Sequence, residues 1–277
     1  MYFVGLIVYL YNIRYVFFAG RPYLPRKIDL NCDMGESFGM YKMGLDEQVI
    51  KHISSANIAC GFHAGDPMWM RRTVRLAEEN GVAVGAHPGF PDLVGFGRRT
   101  MSLSPEEVRD DMVYQIGALR AFTRNQKLQH VKPHGALYNQ AVEDEGLSRA
   151  VCEAILEVDP EMAIVALAGS TWVGIAKEMG LRVAREVFAD RALNSDGTLV
   201  SRSLPGAVIE DVQEVVRRGV ELVTEGSTEA ISGETIDVQA DSLCLHGDTP
   251  GAVEMAEALR KELKEADVEV VPLGQIV

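Results

Sequence analysis

Four of the six histidines in this 277-residue chain stand within two residues of Gly, Pro or Asp just after an apolar run. His63 lies in GFHAGD, His87 in GAHPGF, His134 in KPHGAL and His246 in LHGD. The ends of the apolar runs also carry Asn31 and Asp33, Asp66, Lys132, Glu186 and Asp190, and Asp248. His, Asp, Glu and Lys exchange protons with a reacting bond or, in part, ligate a divalent ion. The set therefore suits general acid/base work on a polar bond, with or without a metal. Arg98, Arg99, Lys132, Arg191 and Arg202 lie in the same connections and can pair with a carboxylate or phosphate. A single histidine after a strand more often caps a loop than reacts. Four of them, with glycines that let backbone approach closely, argue for a common site. His52, in a helical stretch, and His130, at the start of an apolar run, read as structural.

What is missing narrows the reaction. The chain has no G-x-x-x-x-G-K-[ST] loop and no strand-linked G-x-G-x-x-G, so it shows no familiar means of holding ATP or a dinucleotide. It has no G-x-S-x-G elbow for serine hydrolysis either. A net charge of -13 and a pI near 5.0 exclude an extended nucleic-acid surface, leaving small molecules and proteins as partners. Cys32, Cys60, Cys152 and Cys244 form no Cys-x-x-Cys pair, which predicts buried, reduced thiols and a cytoplasmic location.

To bring such scattered residues together, the fold must gather the ends of many segments. From Lys27 onward, short Val- and Ile-rich runs alternate with longer amphipathic ones, the pattern of βα units around a parallel sheet. Strands are expected at 27–32, 57–60, 82–87, 130–133, 163–168, 182–188 and 242–246, with VEVVPL at 268–273 as a closing eighth. SPEE at 104–107 is a capping box with Pro at the first helical position, and Val108, Met112, Ile116 and Leu119 then recur at helical spacing. In a closed parallel barrel all strand C-termini share one rim, where barrel active sites are built. The expected fold is thus a single α/β domain over residues 27–277. Residues 1–26, apolar and aromatic but broken by Asn12 and Arg14, read as an appendage, with a membrane-contacting segment as the alternative.

KIDLNCDMGE, SSANIACGFHAGD, GVAVGAHPGFPD with FGRR, HVKPHGALYNQ, EVFADR and LCLHGD, in that order, resemble the LamB/YcsF family, associated with one component of the bacterial 5-oxoprolinase. The resemblance runs from Lys27 to the C-terminus. It implies a distorted seven-stranded (β/α) barrel, glycoside hydrolase/deacetylase-like. It also implies ATP-dependent opening of 5-oxo-L-proline to L-glutamate, with ATP consumed by partner subunits B and C, in keeping with the missing phosphate loop here. On that basis the catalytic candidates are Asp33, His63, His87, Lys132, His134 and His246. Asp33 or His63 would activate water, His134 or His246 would protonate the ring nitrogen or the departing group, and Lys132 and Arg191 would hold the carboxylate or phosphate. Asn31, Asp66, Arg98, Glu186, Asp190, Arg191 and Asp248 are the substrate-binding candidates. A divalent metal, if used, would take Asp33, His63 and His87. Homo-oligomerisation stays open. The rival functions are a stand-alone metal-dependent amidase or deacetylase, and a non-catalytic module that binds a small molecule.

Overall fold

Alternation of polar and apolar residues governs the first strand of the barrel. The computed structural model describes residues 7–10, 13–18, 21–23, 26–247 and 251–277, the residues before 26 by their backbone alone. Strand β1 (Arg26–Met34) sends Ile28, Leu30, Cys32 and Met34 into the main hydrophobic core. The intervening Asp29, Asn31 and Asp33 belong to a buried polar ladder instead. A period of two puts these sets on opposite faces, so the barrel interior beside β1 is polar where an ordinary one is greasy.

Six further strands follow: β2 (Ser55–Ala59), β3 (Ala83–His87), β4 (His130–Val131), β5 (Ala163–Leu167), β6 (Arg182–Phe188) and β7 (Ser242–His246). Each pairs in parallel with the next, and β7 pairs in parallel with β1, which closes the ring. Strand β4 has only two residues, and the ring is irregular there. The expected closing role of 268–273 is corrected: Val268–Val270 pairs only with Arg26–Ile28, whereas β7 takes Asp29–Asp33. One nine-residue strand is long enough to serve both partners in turn. Leu273 then plugs the apolar lower interior formed by Ala163, Val165 and Ala184.

The helices cover the outside. The one at Pro105–Arg120 starts on Ser104 with the expected reciprocal bonds to Glu107, and buries Val108, Met112, Ile116 and Leu119. All four cysteines are free and buried. Ile7–Leu10, Ile13–Phe18 and Arg21–Tyr23 form a separate antiparallel sheet. Among the described residues no helix is long and apolar enough to cross a membrane.

Candidate active site

Register brings the polar ladder together before any loop contributes. Across the β1–β7 seam, Ser242 faces Asp29, Cys244 faces Asn31 and His246 faces Asp33. Across β1–β2, Asp33 faces Asn57, whose Nδ2 donates to Asp33 Oδ1 at 2.8 Å and to Asn31 Oδ1 at 2.7 Å. On the next pair, Gly85 faces His130, and a Cβ there would sit 2.1 Å from His130 Nε2, so only glycine admits the ring. His130 Nε2 in turn meets Asn57 Oδ1 at 2.7 Å, one layer below the rim.

Lys132 stands at the centre. Its Nζ lies 3.0 Å from Asp33 Oδ1, 3.0 Å from Glu186 Oε1, 3.0 Å from Cys244 Sγ and 3.2 Å from Asn31 Oδ1. Burial opposes its charge, but Asp33, Cys244 and Glu186 raise its ammonium well above the usual lysine range. Burial likewise opposes ionisation of Asp33, and the charges of His87 and Lys132 overcome it and hold that carboxyl well below the ordinary range. Three N–H bonds meet four acceptors, so Lys132 has no donor left over for a ligand, which corrects the expectation that it holds a substrate carboxylate or phosphate.

Above it the histidines form a tight group. His87 Nδ1 meets the Lys132 carbonyl at 2.7 Å, and His134 Nε2 meets the Phe96 carbonyl at 2.9 Å. A carbonyl only accepts, so both of these nitrogens carry hydrogens, and in a neutral ring the other nitrogen presents a lone pair. Yet His87 Nε2 and His134 Nδ1 lie 2.9 Å apart, with Asp33 Oδ2 3.3 Å from the former. Two lone pairs at that distance repel unless a proton or a cation lies between them. His63 stacks on His134 with centroids 3.7 Å apart, and neither of its ring nitrogens has a hydrogen-bond partner. Burial, then His134 and His87, keep His63 neutral. Glu36 Oε1 is 3.5 Å from His63 Nε2 and 3.7 Å from His134 Nδ1. One ligand atom from each of Glu36, His63, His87 and His134 lies within 4.8 Å of all the others. This carboxylate and imidazole set, in which His63 has no hydrogen-bond partner of its own, fits a divalent cation. Gly97, at φ 61°, makes the packing feasible, since a Cβ there would lie 2.7 Å from His63 Cβ and 2.8 Å from His134 Cδ2.

A second acid/base unit sits across the mouth. Asp190 Oδ2 accepts from His246 Nδ1 at 2.8 Å and from the His246 backbone N–H at 3.2 Å. Burial works against the Asp190 carboxylate, but His246 holds it below the ordinary range. His246 Nε2 then accepts from Arg202 Nη2 at 3.1 Å. Asp33, Cys244 and His246 also converge within 4.8 Å, so the two units meet at Asp33. They border a cavity of about 380 Å³, whose lining includes Asp33, Glu36, His87, His134, His246 and the arginines 98, 191 and 202.

The structure thus gathers Asp33, His87, Lys132, His134 and His246, with Arg98 and Arg191, around one space. His63 lies behind His134, fully buried. Asn31 and Glu186 lie beneath the floor and hold each other at 3.0 Å; Asp190 stands behind His246. Asp66 is outside the cavity lining: its Oδ1 accepts from the amides of Met68 and Trp69 and caps the helix Pro67–Glu79. Asp248 lies outside the described residues. Sequence reading passed over Glu36, Asn57, Tyr138 and Cys244. Glu36 follows Asp33 in the same connection, and Cys244 is two residues before His246, so spacing alone pointed to both. The buried Tyr138 lines the cavity from the helix Gly135–Glu143, and no strand-end rule finds it.

Comparison with known proteins places this geometry. The LamB/YcsF family matches residues 28–277. The chain is 58% identical over 253 residues to the A subunit of 5-oxoprolinase from Pyrococcus furiosus, covering 91% of this chain and 99% of that one. It is 54% identical over 252 residues to the A subunit of 5-oxoprolinase from Clostridium beijerinckii, covering 90% and 99%. The crystal structure of a lactam utilization protein from Thermus thermophilus superimposes with a TM-score of 0.84 at 50% identity, over 88% of this chain and 99% of that one.

Proposed function

The chain belongs to the LamB/YcsF family, and from that premise we propose that it opens the lactam ring of 5-oxo-L-proline to give L-glutamate, working as the A component of 5-oxoprolinase beside ATP-using subunits B and C. The observation that carries this reading is the pair of separately held acid/base units, Asp33 with His87 and Asp190 with His246, bordering one cavity. Relatives at 54–58% identity are named as the A subunit of 5-oxoprolinase. The missing phosphate loop agrees with ATP being spent on another chain. Four free, buried cysteines suit the reducing cytoplasm.

Amide resonance protects a lactam carbonyl. Phosphorylating its oxygen removes that protection and supplies a leaving group. In the proposed sequence Asp33, backed by His87 Nε2 at 3.3 Å, takes a proton from water as its oxygen adds to the activated carbon. The carbon–nitrogen bond then breaks as the new hydroxyl loses its proton and becomes the carbonyl of an acyl phosphate. His246, held by Asp190, takes up that proton at Nε2 and passes it to the nitrogen. A second water releases the phosphate. Lys132 keeps Asp33 ionised from below and does not touch substrate. Glu36, His63, His87 and His134 are the residues that would hold a divalent ion, which would polarise a bound oxygen there.

Mixing this chain with purified subunits B and C, ATP and 5-oxoproline should yield glutamate, and leaving out any one protein should abolish it. The histidine and glutamate cluster gives one rival its footing, a stand-alone metal-dependent amidase. Hydrolysis of 5-oxoproline or acylated sugars by the isolated chain, lost on chelation, would establish that rival instead.

A further inference from the structure

The cavity has two unlike sides. Its floor cation, Lys132, is saturated by neighbouring acceptors, two of them carboxylates. Arg191 is buried too, at 4% exposure, but its bonds go to neutral groups: Nε donates to the Ala207 carbonyl at 3.2 Å and Nη2 to the Val200 carbonyl at 2.6 Å. Neither bond uses Nη1, and Arg191 lines the cavity. Burial and then the charge of Arg202 push its guanidinium down to about 10; Asp190 opposes this and Arg98 adds to it. Asp190 Oδ2 is engaged by His246, and its Oδ1 is buried without a hydrogen-bond partner. A buried cation held by carbonyls, with two more guanidiniums on the same cavity, is stabilised by the arrival of an anion.

We propose that Arg191, with Arg202 and Arg98 beside it, holds the phosphoryl group of the activated substrate, so that the cavity selects a phosphorylated lactam over the free one. The proposal rests on the lactam-opening reading above. A phosphoryl group offers three terminal oxygens to several guanidinium N–H groups, whereas one guanidinium fork satisfies a carboxylate. Arg191 is in position before substrate arrives. Isolated bridges join Arg191 to Val208 and Leu193 to Leu199, and Arg218 Nη2 donates to the Arg191 carbonyl at 3.4 Å. Arg202 links the anion to the chemistry. Its Nη2 now covers His246 Nε2 at 3.1 Å; turning to a phosphoryl oxygen, it would leave that nitrogen able to carry the proton destined for the leaving group.

Calorimetric titration of the full chain tests this, with inorganic phosphate in one arm and 5-oxo-L-proline in the other. Phosphate should bind saturably. Losing one charge-assisted contact in Arg202→Gln, an exposed position whose replacement spares the core, should weaken phosphate by roughly tenfold or more. Arg191→Lys, which keeps the charge and loses the fork, should weaken it similarly, with circular dichroism reporting its folding. The affinity for 5-oxo-L-proline should stay within about twofold in both variants. Equal loss for both ligands would mean that the arginines hold the carboxylate, and unchanged phosphate affinity in Arg202→Gln would mean an adventitious ion only; either overturns the assignment, as does absence of phosphate binding. If the three-protein mixture makes glutamate while phosphate fails to bind, the lactam reading survives and this assignment falls. Phosphate binding as expected without glutamate formation would leave the anion wall standing and remove the lactam reading.

Discussion

Replacing Lys132 by Met would remove the ammonium that faces Asp33 and Glu186 at 3.0 Å each and leave two carboxylates in the barrel without it. Breaking a buried ion pair from one side costs about 3–5 kcal/mol, because the remaining charge keeps its desolvation penalty. The pH dependence follows from Asp33. Its carboxyl is held well below the ordinary range, so the stability it contributes is present above the unfolded value near 3.9 and is lost as pH falls through the lowered native one. Without Lys132 that depression shrinks, one carboxyl takes up a proton, and the penalty becomes smaller in acid. Urea unfolding of the wild type, Lys132→Met, Glu186→Gln and the double variant at pH 5 and pH 7.5 would measure this. The single lysine variant should lose about 3 kcal/mol or more at pH 7.5 and distinctly less at pH 5. The double variant should cost less than the two singles added, by about 0.5–3 kcal/mol, since Glu186→Gln removes a charge that Lys132→Met strands. Loss within about 1 kcal/mol at both pH values would refute the reasoning, because an exposed pair behaves that way.

Asp190→Asn should keep the fold but leave His246 without its carboxylate, lowering kcat in the reconstituted mixture by about 10²–10⁴-fold with little change in KM and altering the pH profile. Equal loss in kcat and gain in KM would instead point to substrate contact. Asp29, ringed by Ser54, Ser55 and Ser242, is raised by burial to about 6. A folded value above the unfolded one favours the fold most below pH 3.8, and that advantage fades as pH rises through about 6, a swing of about 3 kcal/mol. Asp29→Asn should remove that slope from unfolding curves taken between pH 4 and pH 7, and an unchanged slope would exclude Asp29 as its source. A protein beginning near Arg26, where the family match all but begins, should fold and melt like the full chain. Aggregation of that shorter form alone would assign residues 1–26 a stabilising role.

The ring of strands was legible because each carries a β-rich run ended by Gly, Pro or Asp, and parallel direction alone sends those ends to one rim. Partner choice was not legible: VEVVPL has strand composition, but nothing in it says that Arg26–Ile28 would accept it while β7 closed the ring. Depth was equally hidden. His63 and His87 both follow strands, yet only His87 lines the cavity, because stacking on His134 seals His63 behind it. Asp66 has the chemistry of a site residue, but Pro67 behind it is the mark of a helix cap, and the cap is what forms. Cys244, read as a buried thiol, is one, and the same inward parity that aims His246 at the mouth puts its sulfur 3.0 Å from Lys132.

The most direct test asks whether ring opening belongs to this chain while ATP is spent elsewhere. In the mixture of all three proteins with ATP and 5-oxoproline, replacing this chain by its His246→Ala variant should abolish glutamate formation while 5-oxoproline-dependent ATP consumption by the partners persists. Glutamate made at the wild-type rate by that variant would contradict the assignment of the chemistry to this cavity.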